Sequence, residues 1–402
     1  MIAALVVSAI DVAKLLTNLE MDQYTLQAQK IFNDAKTQVE QIRDVTLPSD
    51  VALHVITKQQ AVDMWGHPSG SQDLTNLYRE EKIYKGLFLM AENESLVQTT
   101  ADWTANWVAA AVGNKDVYVI KENFNPFDKN AESTFVHELT HIWQPQLETP
   151  NTYDEDKAHT ALVEGDASFM ADFYTNLTAN VVQASVELPF YLVDNPLLDT
   201  VQPMSSTMWS LDYFPYDQGK AFVGTLYDHG GFATINQAYK QGYTPSSTMQ
   251  ILHSDAYFAN QTQQPIDAPT LADNSWTLAQ TDRGQDHNTY GEYFIQEMLV
   301  TWINQTTAQQ ATAGWAGDNF TYYEHGSNYL FTWNIQWDSG TDANQFYTAF
   351  HTMMNATGAA EDSSNNWLSN GHYLMIDLNQ NANSILIAVS TVQADTQPSY
   401  FS

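Results

Sequence analysis

The chain has 402 residues, with 15 Lys+Arg against 47 Asp+Glu and a net charge of −32, which argues against nucleic acid and anionic lipid headgroups as partners. It contains no cysteine, which excludes disulfides, thiolate metal sites and cysteine nucleophiles. Eleven Trp, 21 Tyr and 18 Phe supply a large core, and with charged residues at only 15% the polar surface must draw on Asn, Gln, Ser and Thr.

Met1 to Ile10 is apolar but lacks a basic leader, and Asp11 and Lys14 end the run. It is too short to span a bilayer and unlike a standard signal peptide. Leu15, Leu16, Leu19, Tyr24, Leu26, Ile31 and Phe32 recur among polar residues, which predicts a helix. Residues 1–50 are therefore expected to form a helical arm packed on the body rather than a membrane anchor. The β-branched run Val51 to Ile56 predicts a strand in which His54 is packed rather than a ligand. Thr57 and Gln60 have the form of a capping box, starting a short helix that Gly66 stops. Helices are predicted over Leu74 to Met90 and Val97 to Val112, then a strand over Val117 to Ile120 and a loop over Asn123 to Asn130.

The next segment carries the chemistry. His137-Glu138-Leu139-Thr140-His141 places two imidazoles one turn apart on one face of a helix that Pro145 ends. They can share a metal ion while Glu138 reaches a water bound to it. Gln144 and Leu147 stand where a glycine and a third histidine would be needed for the three-histidine variant of this pattern. A second helix is predicted over Asp154 to Thr178, and Glu164 within it would complete three protein ligands and leave an open position. Gly165 beside it allows close helix approach, and Asp166 is expected to orient a ligand histidine through its second ring nitrogen.

Beyond Thr200, helices are predicted over Gly219 to Tyr239, Glu292 to Gln305 and Asp342 to Met354. Phe320 to Tyr323 and Tyr329 to Trp337 predict paired strands, and Tyr373 to Leu378 with Ser384 to Ser390 a hairpin. Acceptor sequons for N-glycans stand at Asn93, Asn176, Asn260, Asn304, Asn319 and Asn355, which favours an extracellular or cell-surface location. No internal repeat and no membrane-spanning stretch is evident in the sequence.

The His-Glu-x-x-His segment followed by the Glu164-Gly165-Asp166-Ala167 helix resembles the gluzincin class of zinc metallopeptidases. More narrowly, the chain is similar to a group of archaeal surface proteins, best represented in halophiles, described as peptidases of that type. The likeness runs over residues 45–390 and includes Phe214 to Val223, Gly230-Gly231-Phe232, Pro245 to His253, Gly291-Glu292-Tyr293, Ala313 to Phe320 and Trp333 to Asp338. Pro145 departs from the aspartate usual in that group, and the low charge density departs from a strict halophile.

The resemblance implies an α+β fold. A zincin-like catalytic domain, a mixed sheet plus active-site helices, would occupy 51–200, and a C-terminal α+β lobe at 201–402 would close the cleft. It implies Zn²⁺ held by His137, His141 and Glu164, with Glu138 as general base and Tyr216 or His253 as the oxyanion donor. In such peptidases an edge strand before the active-site helix holds the substrate by main-chain hydrogen bonds, an expectation that falls on Val117 to Ile120. The implied function is an extracellular zinc-dependent peptidase acting on a peptide or protein substrate, with association with the cell envelope. The alternatives are a cell-surface structural or adhesion protein that keeps a zincin fold without turnover, and a zinc hydrolase acting on a non-peptide amide.

Overall fold

Thr57 marks the first clean boundary in the chain. Its hydroxyl accepts the Gln60 N–H at 3.1 Å, and Gln60 Oε1 accepts the Thr57 N–H at 2.8 Å, so a strand gives way to a helix at a complete capping box. The computed structural model describes residues 9–68, 70–179, 206–279, 288–361 and 365–401. The apolar run at Met1 to Ile10 therefore lies almost wholly outside the described residues, as does the expected division at residue 200. The fold is α+β, and the chain divides into two compact units.

The first unit comprises residues 1–66, 103–145 and 166–188. It contains helix α1 (Ala9–Arg43), strand β1 (Ala52–Ile56), helix α2 (Lys58–Trp65), strands β2 (Ala109–Val112) and β3 (Asp116–Ile120), and helix α5 (Ala131–Trp143). Helix α6 (Tyr153–Ala179) contributes its C-terminal part. The sheet order is β1-β3-β2, with β1 parallel to β3 and β2 antiparallel to it. Ala28, Ile31, Phe32, Ala35 and Val39 form the buried stripe of α1, and Phe32 meets Phe135 of α5 edge-on at 5.4 Å. Leu26, counted with the apolar stripe from sequence, is instead 71% exposed.

Two elements differ from the sequence expectation. The helix predicted over Val97 to Val112 is α4 (Leu96–Ala105), and it stops seven residues early. Asn123 Nδ2 donates to the Ala105 and Trp107 carbonyls at 3.0 and 2.7 Å, satisfying acceptors that the helix leaves open. Ala109 to Val112, an Ala-rich run with high helix propensity, then pairs with β3, so tertiary pairing overrides local preference. As a result Val117 to Ile120 lies in the centre of the sheet, and the edge strand before α5 is β2.

The second unit comprises residues 67–102, 146–165 and 189–402. Its helices are α3 (Ser71–Gly86), α7 (Ser206–Gly230), α8 (Phe232–Ala238), α9 (Thr248–Leu252), α10 (Ser254–Phe258), α11 (Gly291–Val300), α12 (Gln305–Thr312) and α13 (Gly340–Thr357). Most of α4 and the N-terminal part of α6 also belong to it. A seven-stranded antiparallel sheet has the order β4-β5-β6-β10-β9-β8-β7, from β4 (Thr277–Leu278), β5 (Trp315–His325), β6 (Asn328–Trp337), β7 (Ala360–Glu361), β8 (Asn366–Ser369), β9 (His372–Asn379) and β10 (Ser384–Ser390). The predicted pairing of Phe320 to Tyr323 with Tyr329 to Trp337 and the hairpin of β9 with β10 are both present. The helix predicted over Gly219 to Tyr239 is interrupted at Gly231, whose φ of +66° favours glycine. Among the described residues, no helix is long and apolar enough to cross a membrane.

Asp318 is the polar anchor of this unit. Its carboxylate accepts the Tyr290 and Gly291 N–H groups at the start of α11 and the indole N–H groups of Trp315 and Trp333, at 2.8–3.1 Å. Burial pushes its carboxyl up to about 6 against the pull of these four donors. Tyr290 is stacked between Phe294 and Phe320, at 3.9 and 4.0 Å, and donates to Glu80 at 2.7 Å. Asn319, next along β5, is 4% exposed and donates to the Ile266 carbonyl, so the sequence expectation of a glycan there is overturned by burial. Asn93, Asn176, Asn260, Asn304 and Asn355 are exposed.

Helix α7 crosses α6 at paired glycines. A Cβ at Gly165 would lie 2.3 Å from the Gly219 carbonyl carbon, and one at Gly219 would lie 2.2 Å from the Ala161 oxygen. Gly165→Ala is therefore expected to force two backbones apart and destabilise the chain by about 1–3 kcal/mol, read as a lower urea midpoint.

Candidate metal centre

Helix α5 buries Ala131, Phe135, Val136, Leu139 and Ile142, which turns His137 and His141 together toward a less buried face. The helix stops at Gln144, whose φ of −56° and ψ of 134° are the extended values imposed by Pro145. Helix α6 continues through Glu164, Gly165 and Asp166 without a break. His137, His141 and Glu164 each offer a ligand atom, and the three atoms lie within 4.8 Å of one another.

The two histidine Nε2 atoms are 3.1 Å apart, with ring centroids at 4.8 Å and planes at 82°. Two imidazoles bound to one tetrahedral ion at about 2.0–2.1 Å would hold their nitrogens roughly 3.3 Å apart, so the observed spacing fits a shared cation. Two neutral nitrogens and one carboxylate oxygen form the donor set of an open zinc site, with no thiolate to close it. Glu138, between the histidines in sequence, is 7% exposed.

The surroundings of His141 are specific. Its Nδ1 lies 2.8 Å from Gln144 Oε1, and Gln144 Nε2 donates to Asp166 Oδ2 at 3.3 Å. Asp166 Oδ1 is paired with Arg43 at the end of α1, and both side chains are fully buried. The Arg43 guanidinium lies 4.2 Å from the centre of the Trp143 ring. Asp166, expected from sequence to orient a ligand histidine, is linked to His141 through Gln144. Gln144 and Arg43 carried no sequence signal, because their roles depend on the packing of α1, α5 and α6.

Tyr216 is on α7, one turn before Gly219, so its helix passes α6 beside Gly165 and hence next to the position of Glu164. Its ring stacks on Tyr213, which stacks on Trp209, at 5.8 and 5.7 Å. His253 lies between α9 and α10, with Nε2 at 3.0 and 3.1 Å from the two carboxylate oxygens of Glu292. The hydrogen bond that the imidazole donates to that carboxylate raises the His253 pKa. Burial pushes Glu292 up more strongly than the imidazole pulls it down. His253 is thus committed to a buried acid of α11, a pairing that sequence spacing did not suggest.

A family model described as a domain of unknown function (DUF8575) matches residues 278–396. That stretch runs from β4 to the 3-10 turn at Gln393–Thr396 and takes in essentially the whole seven-stranded sheet. It contains none of His137, Glu138, His141, Glu164, Tyr216 and His253. No curated protein and no solved structure matches the chain.

Proposed function

We propose that the chain is an extracellular zinc-dependent peptidase of the gluzincin type, with a zincin-like arrangement around α5 and α6. The observation that carries the reading is the convergence of His137, His141 and Glu164 on one point. Zn²⁺ bound there would polarise a substrate carbonyl and acidify its water. Glu138 is the proton carrier: it takes a proton from the attacking water and returns it to the amine that leaves when the C–N bond breaks. The edge strand β2, which follows α4 and precedes α5 in the chain, is the element suited to hold an extended peptide by main-chain hydrogen bonds.

A donor for the developing oxyanion is also required. Tyr216 is favoured for it, because α7 meets α6 one turn further on, whereas His253 Nε2 is engaged by Glu292. The exposed sequons at Asn93, Asn176, Asn260, Asn304 and Asn355 and the sparse charge support a location outside the cell or on its surface. The strongly negative charge supports a polypeptide substrate over a nucleic acid.

The test is cleavage of a casein or peptide library by the full chain. Activity is expected to vanish on dialysis against a chelator and to return on adding Zn²⁺. Tight metal binding without any cleavage would favour a surface structural or adhesion role for the same fold.

A further inference from the structure

We propose that Arg43, Asp166 and Gln144 form a polarity relay that fixes His141 as its Nδ1–H tautomer, and that all three are positioning residues for the cation. The consequence for metal affinity rests on the ligand assignment above, but the tautomer is a property of the metal-free chain.

Arg43 is a pure donor and Asp166, its buried ion-pair partner, is a pure acceptor. The Gln144 amide end facing Asp166 Oδ2 must therefore be its NH₂ group. Amide orientation is ordinarily ambiguous, and here the carboxylate removes the ambiguity. The other end of the amide, Oε1, is thereby turned toward His141 Nδ1 at 2.8 Å. A carbonyl oxygen only accepts, so Nδ1 carries the proton. A neutral imidazole has one ring proton, so the lone pair is left on Nε2, the atom 3.1 Å from His137 Nε2.

The relay begins where solvent cannot interfere. The Arg43 and Asp166 side chains are fully buried, and the Trp143 ring lies 4.2 Å from the guanidinium. In such surroundings a charge-assisted contact is stronger than in water, so it can impose an order on the neutral groups attached to it. The pieces come from the last residue of α1, the residue after α5 and the middle of α6. Docking of α1 on α5 thus delivers the charge that sets the relay.

The test reads histidine tautomers in the metal-free full chain by long-range ¹H–¹⁵N correlation, with His141 assigned as the signals lost in His141→Ala. The wild-type chain is expected to show His141 with its proton on Nδ1. In Asp166→Asn, Arg43 takes the new carbonyl oxygen and the new NH₂ faces Gln144. The Gln144 amide then turns over, and the His141 proton is expected to move to Nε2. Should that variant fail to fold, Gln144→Leu, at a half-buried position, leaves the ion pair intact. It is expected to give a tautomer mixture with an unchanged melting curve. Zinc affinity should drop about 10–100-fold in either folded variant. An Nε2–H tautomer in the wild type, or variants that change neither tautomer nor affinity, would overturn the relay. The expected tautomers without binding of any divalent cation would support the relay and overturn the metal-centre reading.

Discussion

Glu138→Gln is expected to lower kcat for peptide hydrolysis by about 10²–10⁴-fold, the usual contribution of a general base. The substitution preserves shape and hydrogen-bonding reach at a buried position, so neither melting temperature nor zinc content should change. What it removes is the capacity to accept a proton from water and to pass one to the leaving amine. Residual turnover would come from carbonyl polarisation and substrate binding alone. The measurement is kcat at saturating peptide for zinc-loaded wild type and variant. Equal rates would remove Glu138 from the mechanism while leaving the ligand set untouched.

The second large effect belongs to the ligands. Four-ligand zinc sites bind with about 10–16 kcal/mol, so one ligand contributes on the order of 3–4 kcal/mol, or roughly 10²–10³-fold in Kd. His141→Ala is expected to lose that much affinity. At a zinc concentration of 100 Kd the wild-type chain gains about 2.7 kcal/mol in stability, whereas the variant at the same concentration gains at most about 0.4 kcal/mol. Denaturant melts with and without zinc read this difference. The sign of the pH dependence follows from chemistry: an imidazole must be neutral to ligate, so acid competes with the metal. Occupancy should therefore fall as pH drops below about 6. A chain whose zinc-dependent gain persists at pH 3, or is unchanged in His141→Ala, would contradict the assignment.

Local patterns made some elements legible in the sequence. The capping box at Thr57, the apolar face and proline stop of α5, and the alternating strands β6, β9 and β10 are set by residues within a few positions of one another. The HExxH spacing likewise specifies a shared helix face without reference to the rest of the chain. Features set by distant partners were not legible. Ala109 to Val112 is helical by propensity and becomes a strand because β3 offers hydrogen bonds, moving the sheet edge from the expected strand to β2. Asn319 reads as an exposed acceptor and is buried, its amide donating to the Ile266 carbonyl of a segment more than fifty residues away. The contacts around His141 draw on Gln144 and Arg43, the latter about a hundred residues upstream, and no spacing rule links those positions. The pairing of His253 with Glu292 is of the same kind, since 39 residues separate the two and no spacing rule joins them. Gly291 is similar: its φ of +83°, with Asp154 Oδ1 1.8 Å from any Cβ added there, explains a glycine that the sequence offered only as part of a block.

The ligand set is tested most directly by zinc content after gel filtration, measured by elemental analysis in the wild type and in His137→Ala, His141→Ala and Glu164→Ala. One zinc per wild-type chain and well under one in each variant is the predicted result, with far-ultraviolet circular dichroism unchanged. A wild-type chain that retains no zinc, or a Glu164→Ala variant that retains a full equivalent, would contradict it.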